Sequence, residues 1–131
     1  MDEEDSALKL EVLTAALRAD HGESKDLLEH LAKMLGGAYA SGTTITRGGW
    51  FMSSNRPVQE LTVRFDEWQF QIVREKHGTF TAREMKLVRG VALKTAEISM
   101  DECIERILRE MMKLAEKNMQ TRDALKKFVV G

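Results

Sequence analysis

The sequence predicts an α+β fold: an N-terminal helix or helix pair, a three- to five-stranded antiparallel meander, and a long C-terminal helix packed on one sheet face. Three observations carry that expectation. Leucine, methionine and alanine recur at helical spacing near both ends, whereas threonine, valine, phenylalanine and tryptophan fill the middle. Two turn signals, Asp66-Glu67 and His77-Gly78, bracket segments that alternate between apolar and polar residues. A capping box, Ser99 to Glu102, opens the last apolar-periodic stretch. With 131 residues the chain can bury roughly two-thirds of its unfolded surface, so it needs no disulfide or metal to fold. It reads as one domain, residues 1–131, with a helical segment at 1–36, a sheet at 37–98 and a helical segment at 99–131.

The first helix is expected to start at Asp5 or Ser6, either of which can cap free amides, with the acids from Asp2 to Asp5 on the positive end of the helix dipole. Leu10, Leu13 and Leu17 form a stripe that Leu28, Leu31 and Leu35 repeat. Gly22 either kinks one helix or separates two, and Ser24 can serve as a second cap. Gly36 and Gly37 are expected to end the segment.

A two-residue turn at Asp66-Glu67 sets Phe65 opposite Trp68, Val63 opposite Phe70 and Leu61 opposite Ile72. A two-residue turn at His77-Gly78 sets Trp68 opposite Leu87, Phe70 opposite Met85 and Ile72 opposite Arg83. Together they put Leu61, Val63, Phe65, Trp68, Phe70, Ile72, Met85 and Leu87 on one face, with Thr62, Arg64, Gln69, Gln71, Glu84 and Lys86 on the other. Further strands are expected at 43–47, as an edge or arm, and at 91–95. Ser53 to Pro57 reads as a loop.

In the last segment Ile104, Ile107, Leu108, Met111, Leu114 and Ala115 fall at helical spacing, and Leu125, Phe128 and Val129 extend the stripe past Asn118. An unbroken helix from Met100 to Val129 would be about 45 Å long, against about 23 Å for seven-residue strands. Part of it must therefore meet a turn near Asn118, the N-terminal helix, or a second copy of the chain. Met111 and Met112 cannot both face one core, so one of them is expected at an outside contact.

Composition excludes several function classes. The single cysteine, Cys103, rules out an intrachain disulfide and any multi-cysteine metal site. No apolar run approaches the roughly 20 residues of a membrane span, and acids stand where a signal peptide would carry positive charge. A cytoplasmic, bacterial-type protein is therefore expected. Gly37, Gly42, Thr43 and Thr44 have the glycine spacing of a phosphate loop, but Thr43 replaces its lysine and the loop follows a helix, so it reads as a linker. His21, His30 and His77 have no convergent partners, and no metal or cofactor is expected. Cys103, in the first turn of a helix, is the one position with a case for nucleophilic chemistry; it reads as a small buried residue, and no enzymatic activity is expected.

Charge is unevenly placed. Residues 1–36 carry nine acids and four bases, residues 37–96 five acids and nine bases, and residues 97–131 seven of each. The basic middle points to Arg47, Trp50, Phe51 and Arg56 as partner or nucleic-acid contacts, because that glycine-rich stretch holds no acid, whereas Arg64, Arg74, Lys76 and Lys86 are expected to pair with Glu60, Glu67, Glu75 and Glu84. Met112, Leu125, Phe128 and Val129 are the candidate oligomer contacts. The leading expectation is a non-enzymatic protein-interaction module that self-associates, with a homodimer favoured, and binds a protein partner. The alternative is a nucleic-acid-associated dimer using the basic centre. A third class is small-ligand sensing between Trp68, Phe70 and the last helix. The order helix, meander, helix resembles that of small bacterial nucleoid-associated proteins, a likeness of architecture that carries no residue over.

Overall fold

The computed structural model describes residues 24–48, 56–76 and 79–130. Helix α1 (Ser24–Ala38) leads through a 3₁₀ turn (Ala40–Gly42) into five strands: β1 (Thr43–Arg47), β2 (Val58–Arg64), β3 (Trp68–Arg74), β4 (Phe80–Val88) and β5 (Val91–Ile98). Two helices follow, α2 (Met100–Lys117) and α3 (Met119–Val130). The strands form one antiparallel sheet in the order β1-β2-β3-β4-β5, a full meander, and the α+β expectation holds. Helix α1 packs on β1 and β2, α2 on β3 and β4, and α3 lies against both helices.

The buried face begins with the leucines. Leu28, Leu31 and Leu35 are wholly or almost wholly buried, together with Leu61, Val63, Phe65, Phe70 and Ile72 from β2, β3 and the turn between them. Helix α1 runs through Gly36 and Gly37 to Ala38 instead of stopping at the glycines. A Cβ at Gly36 would meet the Ile45 methyl at 3.6 Å, an ordinary contact, so the space there would take an alanine. Gly42 has a stronger reason to be glycine. A Cβ there would sit 2.3 Å from the Tyr39 ring. That ring stacks on Phe65 at 5.3 Å, and its hydroxyl donates to the Arg64 carbonyl at 2.6 Å. The expected starts at Asp5 or Ser6, the stripe Leu10, Leu13 and Leu17, and the Gly22 break lie outside the described residues.

The β2–β3 register agrees with the expected two-residue turn: Leu61 faces Ile72, Val63 faces Phe70, and the Phe65 amide donates to the Trp68 carbonyl at 2.8 Å. The β3–β4 register differs by one residue. Phe70 faces Glu84, Ile72 faces Ala82, and Gln69 faces Met85. The Glu75 amide donates to the Thr79 carbonyl at 2.8 Å, so the pair closing this hairpin encloses residues 76–78, one more than a two-residue turn. His77 and Gly78 themselves lie outside the described residues. The shift corrects the expected faces. Ala82 and Glu84 come to the helix-covered side with Trp68 and Phe70, while Met85 goes to the open side, where Gln69 Nε2 lies 3.4 Å from its sulfur. Leu87 is buried as expected but is not part of the main apolar cluster.

Helix α2 starts where the capping box places it. The Glu102 amide donates to Ser99 Oγ at 3.1 Å, while the Glu102 carboxylate lies 3.8 Å from Arg106. Asn118 breaks the long helix, and its side-chain oxygen accepts from the Gln120 and Thr121 amides, opening α3. Of the three covers the stripe could have had, the turn and α1 supply it. The buried Thr121 hydroxyl donates to the Ala38 carbonyl at 3.0 Å, tying α3 to the end of α1. Because α2 is held between the sheet and α3, Met111 and Met112 are both buried, contrary to the expectation that only one could be.

Candidate functional site

Strand β5 is the feature that the other described residues leave uncovered. Residues 91–97 are all exposed, and Val91 and Leu93 show 60% and 67% of their surface. With Val88 at 44% they make three of the four exposed large apolar residues among those described. The cause is the placement of α2, which sits over β3 and β4. Strand β5 pairs with β4 alone, so its other edge presents backbone donors and acceptors along eight residues. The opposite edge is shorter. Strand β1 has five residues, bends at a register shift between Thr46 and Arg47, and lies under α1.

The β4–β5 hairpin is built to project. Val88 pairs with Val91 across Arg89 and Gly90, whose φ values of 53° and 82° match the turn that joins twisted strands. The Arg64 guanidinium, reaching from β2, donates to the Gly90 carbonyl and holds the turn. Lys86 faces Lys94 and Leu87 faces Ala92, so Leu93 is an extra residue bulged from the edge strand. The sequence signalled a strand at 91–95; the structure extends it to Ile98.

The expected contact residues fall elsewhere. Arg47 binds Glu29 at 3.2 Å and the Arg56 carbonyl at 2.8 Å, while Arg56 donates to the Gly48 and Arg47 carbonyls. The Val58 amide also donates to Glu29 at 3.0 Å. These two arginines close the base of the segment between β1 and β2, with α1 tied to it. Trp50 and Phe51 lie outside the described residues. Among the candidate oligomer contacts, Met112 and Leu125 are 7% and 0% exposed inside the chain's own core, because α3 folds back there. The side chains of Phe128 and Val129 lie outside the described set. The basic strand residues do not take the acids expected for them: Arg74 donates to the Val58 carbonyl and stacks on Phe80, Lys86 lies over Trp68, and Glu84 binds Arg106.

Cys103 is wholly buried, and burial, then the nearby Glu84 carboxylate, pushes its thiol up to about 12 from an ordinary 9.0. The thiol is expected to be inert to a disulfide reagent at about pH 8 in native buffer and to react once the chain is denatured. Rapid native labelling would contradict its burial. The raised value also fixes a sign: the folded thiol keeps its proton longer than the unfolded one, so this contribution is full below 9.0 and is lost as pH climbs toward about 12. Among the described residues no group of three metal-ligating side chains gathers, and no helix is long and apolar enough to cross a membrane. No protein-family model matches the chain, and no curated protein or solved structure matches it either.

Proposed function

We propose that the chain is a non-enzymatic interaction module that self-associates and takes a protein partner by adding a strand to the free edge of β5. One observation carries this reading: an eight-residue edge strand whose residues 91–97 are all exposed, Val91 and Leu93 among them. Such an edge is a template for another strand, since main-chain hydrogen bonds supply affinity and the flanking side chains supply selectivity. Proteins that do not use an edge blunt it with proline, charge, a bulge or cover; β5 has no proline, one charge on each face, Lys94 and Glu97, and a bulge at Leu93 that leaves Lys94 to Ile98 in regular pairing. The burial of Cys103 supports the non-enzymatic part.

Light scattering tests the self-associating form directly. The wild-type chain is expected at twice its 14.9 kDa mass and Leu93→Lys at the single mass, because a lysine at the bulge puts a charge where a strand would dock. A wild-type monomer across the accessible concentration range would refute self-association. The nucleic-acid reading rests on the excess of bases in residues 37–96. It requires binding that weakens steeply with salt and falls on Arg47→Ala or Arg56→Ala.

A further inference from the structure

The free edge of β5 has a definite hydrogen-bonding pattern. The Leu87 amide donates to the Glu67 carbonyl, on the β3 side of β4. Backbone groups along an antiparallel strand alternate in direction, so Lys86, Glu84 and Ala82 turn theirs toward β5. Their partners there are Lys94, Ala96 and Ile98, whose backbone groups are thereby taken up by β4. Thr95 and Glu97 are left directing their amides and carbonyls outward, one on either side of Ala96. The bulge lies before Lys94, so the regular part of the edge runs from Lys94 to Ile98 and is centred on Ala96.

A second copy of the chain fits this edge in few ways. A two-fold axis that sets two copies of one strand antiparallel stands perpendicular to the sheet, so each copy keeps its faces. Opposed residues share a face, and in the regular part even-numbered positions therefore meet even-numbered ones and odd meet odd. An axis at Lys94 or at Glu97 would set a charge against itself, which is destabilising. An axis at Thr95 would set Glu97 against the bulged Leu93, and one at Ile98 would leave most of the strand unpaired. Only Ala96 remains. With the axis there, Thr95 of each copy faces the other's Glu97, and each such pair exchanges two main-chain hydrogen bonds through its outward groups. Lys94 faces the other's Ile98, so each charge meets an uncharged residue. The small Ala96 faces itself at the closest spacing, about 4.5 Å between Cα atoms.

We propose that two copies join β5 to β5 antiparallel about a two-fold axis at Ala96, making one continuous sheet with α2 of both copies on the same side. The inference rests on strand addition at β5 and specifies its partner as a second copy. The joint closes on itself, because it uses the long edge of both copies and leaves only the short β1 edges.

Disulfide trapping in the full chain tests the register. Cys103 is wholly buried, so the wild type is expected to stay uncrosslinked under mild oxidation. Ala96→Cys is expected to form a covalent dimer at least about tenfold faster than Thr95→Cys or Glu97→Cys, since the preformed pair makes the reaction intramolecular. Positions 95 and 97 meet their own copies only diagonally, at about 7–8 Å, beyond easy disulfide reach. Thr95→Pro is expected to abolish the dimer in light scattering and to keep the fold by circular dichroism, because it removes an outward amide that β4 does not use. Should that variant not fold, the crosslinking series decides alone. Fastest crosslinking at 95 or 97, or a dimer that survives folded Thr95→Pro, overturns the register, and loss of that dimer in Leu93→Lys would still leave strand addition at β5 standing. A wild-type monomer overturns the register and self-association together.

Discussion

Replacing Phe70 with alanine is expected to lower the unfolding free energy by about 3–5 kcal/mol, a large share of the roughly 5–15 kcal/mol that holds a domain folded. Phe70 is 2% exposed at the centre of the sheet, facing Val63 on one side and Glu84 on the other. Its ring meets Phe65 edge-on at 6.0 Å, and Phe65 in turn stacks on Tyr39, whose hydroxyl is anchored to the Arg64 carbonyl. Truncation removes one end of this aromatic series and leaves a void that the backbone hydrogen bonds of three strands prevent from closing. The companion variant Met85→Ala is expected to cost less than about 1 kcal/mol, because Met85 lies on the open face. Urea unfolding of the two proteins tests the register as well as the packing. With the hairpin slipped by one residue Met85 would be a core side chain, and the two costs would be comparable.

The second large effect concerns the charge that this register brings under α2. Arg106→Leu is expected to cost about 2–3 kcal/mol, because it leaves the mostly buried Glu84 carboxylate without its partner. Glu84→Leu is expected to cost less than about 1 kcal/mol, since Arg106 is 40% exposed and can turn to water and to Glu102. With both positions leucine, stability is expected to return to within about 1 kcal/mol of wild type, as an ion pair exchanged for apolar contact usually is. A double-mutant cycle by chemical denaturation measures the three values. Equal single costs that simply add would show that the two side chains are not coupled.

Most of the fold was legible in residue pattern. Val63, Phe70 and Ile72 align because the Asp66-Glu67 connection has the two residues that its closing pair implies. The third strand misaligned because alternation through Met85 and Leu87 favours the apolar side, whereas the hairpin closes at Glu75 and Thr79 and carries Glu84 inward. That outcome depends on Arg106, which lies 22 residues away and neutralises the buried carboxylate, so no local pattern could signal it. The break at Asn118 was visible as one of three possible covers, and its capping oxygen explains the position. The surface features were legible only in part. Trp68, Phe70 and the last helix were marked as a pocket, but the ion-paired flank that Arg106, Arg109 and Lys113 make there with Glu84, Glu105 and Glu110 belongs to helix orientation. The exposure of Val91 and Leu93 likewise follows from where α2 docks, not from the strand's own composition.

Each strand of the sheet hydrogen-bonds to the one that precedes it in sequence, whereas Thr121 reaches back 83 residues to Ala38. Chain-ordering entropy is therefore spent in two very unequal instalments. The hairpins can zip one after another at low loop-closure cost, and the docking of α3 on α1 closes the longest loop. The seam between those helices is therefore expected to form after the hairpins, an order that pulsed amide exchange during refolding would check.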